Sequence, residues 1–488
     1  MGYEYKTEPF AHQREVFEAT RDLKSFAILW EQGTGKSKLA IDTFAYLYEK
    51  GEIDAVLIVA PGGAHQNWIH NEIPTHLPRR VAKLADGHAY LSARATTGWH
   101  QKRCAQILHH DGLAIMAMPY SGITTEAGRL WAKAFLKKRR VFYIIDEAHR
   151  IKEPKTKRSK LVVASGKLAE YKRVLTGTPI ANGPFDVYAQ LRFLDPEYWK
   201  RLGMSSYTAF KTQFGIWKKP YESANYEVLL AYRNLDELQA LIGEISSRVT
   251  KDDVLDLPPK LYSKRYIELS PAQTRLYKEL KSECTATMED GYVIEAVLPI
   301  VRLLRYRQLL CGYLPTEEGS DEPVQLLPGP NLRLEALIDI CEGLPHKAII
   351  WAVFTKDIDM ICRSLATNEE VGGVVRYDGR TSDEARLAAI GSFQDPDSGV
   401  QFFVANPQAA SESLTLHAAR TVVYYSSGFS LTERQQSEDR AHRIGQEHPV
   451  NYIDLVARGT VDEHILKALV NKRDIASFIT QDELKEWL

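Results

Sequence analysis

The chain has 488 residues, a length that suits about three domain-sized units or two large ones with insertions. Its hydrophobic share of 44% and charged share of 26% are those of a soluble globular protein, and no apolar run reaches the ~18 residues that a membrane-spanning helix needs. The net charge of −1 excludes a strongly basic nucleic-acid-binding protein, so any contact with DNA must come from local basic patches.

Short apolar runs alternate with helix-like segments, which predicts an α/β fold with parallel sheets covered on both faces. In the first half of the chain the runs are SFAILW (25–30), AVLIVAP (55–61), LAIMAM (113–118), VFYIIDE (141–147) and RVLTGT (173–178). In the second half they are KAIIWAVF (347–354), GVVRYDG (373–379), VQFFVAN (400–406), TVVYYSS (421–427) and NYIDLVA (451–457). Two such series indicate two α/β lobes.

The region between the two series differs in composition and in the spacing of its apolar residues. It is rich in Tyr, Leu, Lys and Glu at helical spacing, which predicts helical protrusions, and LPTEEGSDEPVQLLPGPN (314–331) is typical of a linker. The predicted segments are 1–255 for the N-terminal lobe with a protrusion at about 190–250, 256–330 for a helical protrusion and linker, and 331–488 for the C-terminal lobe.

The first apolar run leads into WEQGTGKSKLAID, which has the pattern of a phosphate-binding loop (P-loop). Gly33 and Gly35 allow a tight turn whose N–H groups approach phosphate oxygens at the start of a helix. Lys36 would reach the β- and γ-phosphates, and Ser37 would hold Mg²⁺. The sequence departs from the full pattern at Trp30, where a glycine is usual.

A second motif, VFYIIDEAH, places Asp146 and Glu147 at the end of a run that is too apolar to be anything but a buried strand. Two adjacent carboxylates there are costly unless they face a metal ion or a cleft. We therefore expect Asp146 to orient Mg²⁺ and Glu147 to polarise the water that attacks the γ-phosphate.

A third motif, QQSEDRAHRIGQ (435–446), would place Gln436, Arg440 and Arg443 on one face of a helix. By itself this segment resembles a solvated helix with Asp439–Arg443 and Glu438–His442 pairs. If the chain also has a phosphate-binding site, the two guanidinium groups would have phosphate oxygens to bind.

GTGKS, DEAH (146–149) and TGTP (176–179) resemble, in this order, the ATPase motifs of helicase superfamily two. DEAHRIKEPKTKRSK, TGTPIANG and QSEDRAHRIGQ look like those of the Swi/Snf-type DNA-translocating ATPases. The resemblance covers nearly the whole chain, because FAHQ (10–13), IVAPGGAHQNW (58–68), DDVLDLPPK (252–260), LLRYRQLLCG (303–312) and YDGRTSDEAR (377–386) are also similar to family segments. It implies two RecA-like lobes that carry helical protrusions.

The resemblance also implies ATP and Mg²⁺ as cofactors and assigns roles to individual residues. The implied nucleotide-binding residues are Gln13 (which reads the adenine), Gly33, Thr34, Gly35, Lys36, Ser37 and Gln436. The implied catalytic residues are Lys36, Asp146, Glu147, Arg440 and Arg443, the two arginines closing on the nucleotide from the opposite lobe, and Mg²⁺ would be held by Ser37 and Asp146. Coupling of nucleotide state to DNA would involve His149, Thr176, Gly177 and Thr178.

The expected DNA contacts are to phosphate and sugar, so little sequence preference and a steep dependence on salt are expected. RIKEPKTKRSK (150–160) places six basic residues within eleven, directly after the DEAH motif. The candidate DNA-binding residues are Asn67, Trp68, Lys155, Lys157, Arg158, Ser411, Ser413 and Thr415. The sequence departs from the family where it has AASESLTLHAA (409–419) in place of a glycine-rich stretch and SSGFSLTE (426–433) in place of an Asp-x-x-Trp-Asn-Pro segment.

The sequence thus predicts a DNA-stimulated ATPase that translocates on double-stranded or branched DNA, in repair, in replication-fork or recombination processing, or in protein displacement. A strand-separating DNA or RNA helicase and a weakly hydrolysing DNA-binding scaffold remain alternatives, as does a subunit of a defence complex. The five scattered cysteines form no zinc-binding spacing and are expected to be reduced thiols. We expect a cytoplasmic monomer, bacterial or phage-like, with no membrane contact.

Overall fold

The computed structural model describes residues 3–288, 293–296, 298–315, 324–409 and 414–480. The chain divides into two compact units. The first takes in the residues up to Asp256 and the segment that begins at Lys472, and the second runs from Leu257 to Asn471. Among the described helices, none combines the length and apolar character needed to cross a membrane.

The first unit is built on a seven-stranded parallel sheet with strand order β3-β4-β2-β5-β6-β1-β9. Its strands are β1 (Ser25–Trp30), β2 (Ala55–Ala60), β3 (Ala85–Ala89), β4 (Leu113–Pro119), β5 (Val141–Asp146), β6 (Tyr171–Leu175) and β9 (Ser246–Val249). A hairpin of β7 (Gly215–Lys218) and β8 (Val228–Tyr232) lies outside this sheet.

Helices cover both faces of this sheet, so its central strands are buried throughout. Along β2, Leu57 and Val59 belong to one core cluster, whereas Val56 and Ile58 belong to the other, as the two-residue period of a strand requires. The helices are α1 (Ala11–Thr20), α2 (Lys36–Glu49), α3 (Ala64–Asn67), α4 (Ile73–His76), α5 (Arg79–Ala82), α6 (Gly98–Leu108), α7 (Tyr120–Thr124), α8 (Glu126–Lys138), α9 (Lys157–Gly166), α10 (Val187–Leu194), α11 (Tyr198–Arg201), α12 (Tyr207–Phe214), α13 (Leu235–Gly243) and α14 (Lys251–Val254), with a π-helical turn at Trp68–Glu72 and 3₁₀ turns at Ser92–Arg94, Ala148–Ile151 and Pro184–Asp186.

The second unit is built on a six-stranded parallel sheet with strand order β10-β19-β18-β15-β17-β16. Its strands are β10 (Lys260–Ile267), β15 (Ala348–Trp351), β16 (Gly373–Tyr377), β17 (Val400–Ala405), β18 (Thr421–Tyr424) and β19 (Val450–Ala457). Two small hairpins pair β11 (Thr285–Thr287) with β12 (Val293–Glu295) and β13 (Tyr313–Pro315) with β14 (Val324–Leu326). The helices are α15 (Pro271–Ser282), α16 (Pro299–Leu310), α17 (Leu332–Glu342), α18 (Thr355–Ala366), α19 (Asp383–Gln394), α20 (Leu431–Ala441) and α21 (Val461–Thr480).

The predicted fold class, two parallel-sheet lobes with helices on and between their strands, is confirmed, and each of the ten predicted apolar runs contains a strand. Two details differ from expectation. Lys260–Ile267, predicted to be part of a helical protrusion, is an edge strand of the second sheet. Five of its eight residues are exposed and only Ile267 is buried, in keeping with a strand that has a neighbour on one side only. The segment from Lys472, predicted to belong to the C-terminal lobe, groups with the first unit.

Candidate active site

Three neighbouring strands of the first sheet end in the three predicted ATPase motifs. In the sheet order β5-β6-β1, the DEAH motif follows β5, the TGT segment follows β6, and the P-loop follows β1. Because the carboxyl ends of parallel strands meet at one edge of a sheet, residues about 30 to 145 positions apart in sequence converge there. This edge is the place where ligands bind in open α/β sheets.

The P-loop makes its turn with two left-handed glycines, Gly33 at φ +85° and Gly35 at φ +87°. Gly35 precedes the first residue of α2, so the helix begins directly at Lys36. A Cβ atom on Gly35 would lie 1.8 Å from Nε2 of Gln13, a separation that no side chain could adopt. Both the backbone conformation and the close approach therefore require glycine at this position.

Gln13, the predicted adenine-reading residue, is 2% exposed and is hydrogen-bonded to the loop itself. Its Nε2 donates to the carbonyls of Thr34 (3.3 Å) and Gly35 (3.4 Å), and its Oε1 accepts from the Phe10 amide (2.9 Å). The amide side chain thus fixes the P-loop backbone relative to α1. Its contact with adenine stays a prediction.

Lys36 lies across the loop, where its Nζ donates to the carbonyl oxygens of Trp30 (2.8 Å) and Glu31 (2.9 Å). Trp30, which replaces the usual glycine, is fully buried at the end of β1, and its indole N–H donates to Ser247 Oγ (3.0 Å). The loop uses only the main-chain carbonyl of Trp30. The departure at this position is therefore compatible with a phosphate-binding turn, because the glycines that the turn needs come later.

The DEAH carboxylates lie beside the P-loop. Gln32 of the loop donates through Nε2 to Oε1 of Glu147 (3.3 Å), and Asp146 Oδ1 accepts from the Glu147 amide (2.9 Å). Glu147 has a left-handed backbone (φ +50°), which a residue with a Cβ adopts only at a cost of about 1–3 kcal/mol. Strain of this kind is concentrated at functional sites, where the surrounding structure maintains it.

Burial, with the adjacent charge of Glu147, raises the pKa of Asp146 to about 6, although the Trp68 hydrogen bond and the nearby Lys36 ammonium oppose the shift. Two adjacent, half-buried carboxylates form a negatively charged site that a hard divalent cation neutralises, and their oxygens are ligands that Mg²⁺ prefers. The half-buried Ser37 hydroxyl, in the first turn of α2, is of the same ligand type. The donor set of Asp146 and Ser37 therefore fits Mg²⁺.

Trp68 was predicted to contact DNA, but the structure assigns it to this site. Its side chain is 2% exposed, and its indole N–H donates to Asp146 Oδ2 (3.0 Å). A buried ring whose only donor is already bonded to a carboxylate cannot also reach a phosphate. Tyr120 supports the same residue through its hydroxyl, which donates to the Asp146 carbonyl (2.8 Å). Neither contact is visible in sequence, because the partners lie 78 and 26 residues apart.

The four predicted coupling residues also come together. His149 Nδ1 lies 3.2 Å from Glu147 Oε2, 3.3 Å from Thr178 Oγ1 and 3.4 Å from Thr176 Oγ1. The ring therefore joins the Glu147 carboxylate to the TGT segment. Arg248 of β9, which the motifs did not indicate, donates to the Gly177 carbonyl (3.2 Å) and to the Leu29 carbonyl, and so ties TGT to the strand that leads into the P-loop.

In the second unit, Gln436 and Arg440 are buried in α20, and Arg443 follows the end of that helix. Nη1 of Arg440 (3.3 Å) and Nη1 of Arg443 (2.8 Å) both donate to the carbonyl oxygen of Leu414. This shared acceptor brings the two predicted guanidinium groups together. It also lies next to the AASES stretch, whose residues 410–413 lie outside the described structure.

The solvated-helix alternative for this motif does not hold. Glu438 is 2% exposed and accepts from Arg434 Nε (2.8 Å), from Lys260 Nζ (3.2 Å) and from the Tyr262 hydroxyl (2.8 Å). Arg434 in turn makes a two-pronged bond to Asp454 at 2.6 and 2.9 Å. These buried, mutually satisfied charges lower the pKa of Glu438 despite its desolvation and fix α20 against β10 and β19.

The remaining DNA candidates differ in how accessible they are. Lys155 and Lys157 are exposed, and Arg158 is half-buried, with its guanidinium 5.8 Å from the Tyr120 ring centroid. Asn67 is half-buried and bonds Glu72 (3.2 Å) through its amide nitrogen. Thr415 is half-buried, whereas Ser411 and Ser413 lie outside the described residues.

Comparison with known proteins places these motifs in a family. Residues 19–311 match the SNF2-related domain, and residues 332–445 match the helicase conserved C-terminal domain. A probable ATP-dependent DNA helicase, CHR12 of Arabidopsis thaliana, is 28% identical over 462 residues, 92% of this chain and 40% of that protein. A putative ATP-dependent helicase/translocase, YwqA of Bacillus subtilis, is 25% identical over 460 residues, 93% of this chain and 46% of that protein.

A solved structure, the SWI2/SNF2 ATPase core of Sulfolobus solfataricus in complex with dsDNA, has 22% sequence identity and a TM-score of 0.42, covering 99% of this chain and 96% of that one. The chain spans less than half the length of the two curated relatives named above. The SNF2-related match by itself extends over more than half of the 488 residues. The chain therefore belongs to the SNF2-related family of ATPases in helicase superfamily two.

Proposed function

We propose that this chain is a DNA-stimulated ATPase that couples ATP hydrolysis to movement along double-stranded DNA. The observation that carries the proposal is the convergence of the P-loop, the DEAH carboxylates and the TGT segment at the ends of β1, β5 and β6, with Gln32 bonded to Glu147 and His149 joining Glu147 to the TGT threonines. Such a site suits phosphoryl transfer to water, which needs positioning and charge stabilisation.

Each residue has a chemical task in this proposal. The P-loop amides and Lys36 would bind the β- and γ-phosphates, and Glu147 would accept the proton of the attacking water. Ser37 and Asp146 would hold Mg²⁺, which neutralises phosphate charge when bound. Arg440 and Arg443 would stabilise the negative charge that develops on the transferred phosphoryl.

DNA would be held through its backbone. The exposed Lys155 and Lys157 follow the DEAH motif in sequence, so a phosphate contact there would lie a few residues from His149, which contacts Glu147 and the TGT threonines. Relatives described as a DNA helicase and a helicase/translocase support this assignment. With a net charge of −1, binding would depend on such local contacts and would weaken steeply as salt rises.

The first experiment measures ATP hydrolysis with and without duplex DNA for the wild-type chain, Lys36→Ala and the matched control Lys24→Ala. Lys24 is an exposed surface residue that pairs with Glu170, and its loss should leave turnover unchanged. We expect duplex DNA to raise wild-type and Lys24→Ala rates equally and to leave Lys36→Ala at background. Equal, DNA-independent rates in all three proteins would reduce the chain to a nucleotide-binding scaffold.

The second experiment distinguishes translocation from strand separation. Displacement of a triplex-forming strand from intact duplex DNA, powered by ATP, is the expected result. Unwinding of a plain duplex at a comparable rate would favour a strand-separating helicase instead. Replacing both Lys155 and Lys157 by alanine should weaken DNA binding for all sequences alike and reduce the slope of log K against log salt by about 2.

The proposed setting is DNA repair, replication-fork or recombination processing, or the removal of proteins bound to DNA. Each of these tasks uses a motor that tracks duplex DNA without reading its sequence. Forked, blunt and protein-blocked duplexes offered in the same ATPase assay would show which structure stimulates the enzyme most.

A further inference from the structure

Two histidines and a cysteine form a buried cluster in the first unit, away from the motifs that define the ATP site. His88 belongs to the edge strand β3, and His100 and Cys104 lie one turn apart on helix α6, which packs against β3 and β4. Their side chains are 9%, 1% and 4% exposed, respectively. Among the described residues, no other group of three His, Cys, Asp or Glu side chains offers ligand atoms this close together.

The geometry of the cluster is close to that of a metal site. His88 Nε2 lies 3.1 Å from His100 Nδ1, and Cys104 Sγ lies 3.5 Å from His100 Nε2. One ligand atom from each residue lies within 4.8 Å of the others. With Zn–N bonds of about 2.0–2.1 Å and a Zn–S bond of about 2.3 Å, ligand atoms around a tetrahedral zinc are separated by roughly 3.3–3.6 Å. Since His88 and Cys104 lie beside different nitrogens of His100, its ring must turn so that one nitrogen faces the ion.

The cluster has no task in the ATPase proposal, and two of its three side chains are imidazoles, which carry polar nitrogens into the interior. Nε2 of His88 faces Nδ1 of His100, so a nitrogen of each ring is directed into the cluster. The charged groups that face His88 are Asp86 and Arg103, which are paired with each other at 2.8 Å. The imidazole rings of His70 and His100 also face it.

We propose that His88, His100 and Cys104 bind one Zn²⁺ ion. Two imidazoles and a thiolate are the ligand set that zinc, as a borderline-soft ion, prefers over the oxygen ligands of Mg²⁺. Water takes the fourth position beside His88, which is the ligand nearest to solvent. Binding releases the Cys104 thiol proton to solvent and turns one nitrogen of the His100 ring toward the ion.

The ion would fasten the outermost strand of the sheet to the helix that covers it. Strand β3 pairs only with β4 among the described strands, and its sequence, ADGHA, has no β-branched residue to favour a strand. A metal bridge from His88 to α6 would add a second link between this strand and the helix, beside the Asp86–Arg103 pair. This role is structural and independent of ATP hydrolysis.

The test uses the full chain, stripped with a chelator and then equilibrated with Zn²⁺ or with Co²⁺ as a spectroscopic probe. We expect one Zn²⁺ per chain after desalting. Co²⁺ should give a thiolate-to-metal charge-transfer band in the near ultraviolet, which oxygen-only binding at the carboxylates of the ATP site cannot produce. Zn²⁺ should also raise the melting temperature of the wild-type chain.

Cys104→Ser should abolish the charge-transfer band, and His88→Gln should weaken Co²⁺ binding more than about tenfold. Cys362→Ser, which alters a half-buried cysteine of the second unit, is the matched control and should bind as the wild type does. His88→Gln decides the matter if Cys104→Ser does not fold, since His88 is the least buried ligand. Fewer than about 0.1 Zn²⁺ per chain, or an unchanged Co²⁺ spectrum in either ligand variant, would show a hydrogen-bonded cluster only.

Discussion

Replacing Asp146 by asparagine should abolish ATP hydrolysis and yet make the chain more stable at neutral pH. The half-buried carboxylate is partly desolvated and lies beside the charge of Glu147, so the pKa of Asp146 rises from 3.8 to about 6. An acid whose pKa is raised by folding binds protons more tightly in the folded state. Its contribution to stability therefore becomes less favourable as pH rises from about 4 to 6, and the whole cost is present above that range.

The magnitude follows from the size of the shift. About 2 pKa units correspond to ~3 kcal/mol of destabilisation at pH 8, of which roughly half is already present at pH 5. Asparagine removes this charge but has one acceptor oxygen, whereas the carboxylate accepts from both Trp68 and the Glu147 amide. Loss of one hydrogen bond costs about 1 kcal/mol. The net gain at pH 8 should be about 2 kcal/mol, or several degrees in Tm.

Thermal unfolding of wild type, Asp146→Asn and Asp111→Asn at pH 5 and pH 8, without nucleotide, tests this reasoning. Asp111 is exposed in a surface turn, so its variant should follow the wild type at both pH values. The advantage of Asp146→Asn should be larger at pH 8 than at pH 5 by about 1.4 kcal/mol. A variant that is no more stable than wild type at pH 8, or whose advantage does not change with pH, would refute the view that the charged form of Asp146 destabilises the folded state.

Three further outcomes are expected. Arg440→Ala and Arg443→Ala should each leave ATP binding largely intact but lower hydrolysis about 10²-fold or more, and near-normal turnover in both would indicate a structural role for the two arginines. Trp68→Phe keeps the buried ring but removes the donor to the DEAH carboxylate, so steady-state turnover should fall about tenfold at unchanged DNA affinity; the reverse pattern would restore the DNA contact that the sequence suggested. Gly35→Ala should weaken binding of a fluorescent ATP analogue through backbone strain of about 1–3 kcal/mol and a clash with Gln13; adding Gln13→Ala relieves only the clash, so full recovery in the double variant would contradict the strain.

The sequence predicts that the P-loop, the DEAH carboxylates and the TGT segment converge, because these motifs combine local turn chemistry with a simple topological rule. Gly33 and Gly35 indicate the turn by themselves, and the run before Asp146 can only be a buried strand. Once both strands belong to one parallel sheet, the ends of those strands must share an edge. This inference requires no knowledge of the contacts between the motifs.

The contacts that tune the site could not be predicted, because they join residues that have no common pattern. A tryptophan on a short helix is read equally well as a core residue or a nucleic-acid contact, and only the fold brings Trp68 to Asp146. The charges that hold α20 span 178 residues, from Lys260 to Glu438. The edge strands β3 and β10 were missed because neither has the apolar run that identified the central strands: β3 has the sequence ADGHA, and β10 is exposed along most of its length.

The carbonyl oxygen of Leu414, which accepts from both Arg440 and Arg443, has a bearing on how this chain departs from its relatives. A main-chain acceptor is present whatever side chain the residue carries, so substitution cannot remove it. The side chains at 409–413 can therefore diverge over evolution while the acceptor that receives the two guanidinium groups persists. If the chain moves along DNA as proposed, variation in this stretch would adjust the speed of movement without changing the chemistry of hydrolysis, and grafting a glycine-rich stretch into this chain would be a direct way to observe the difference.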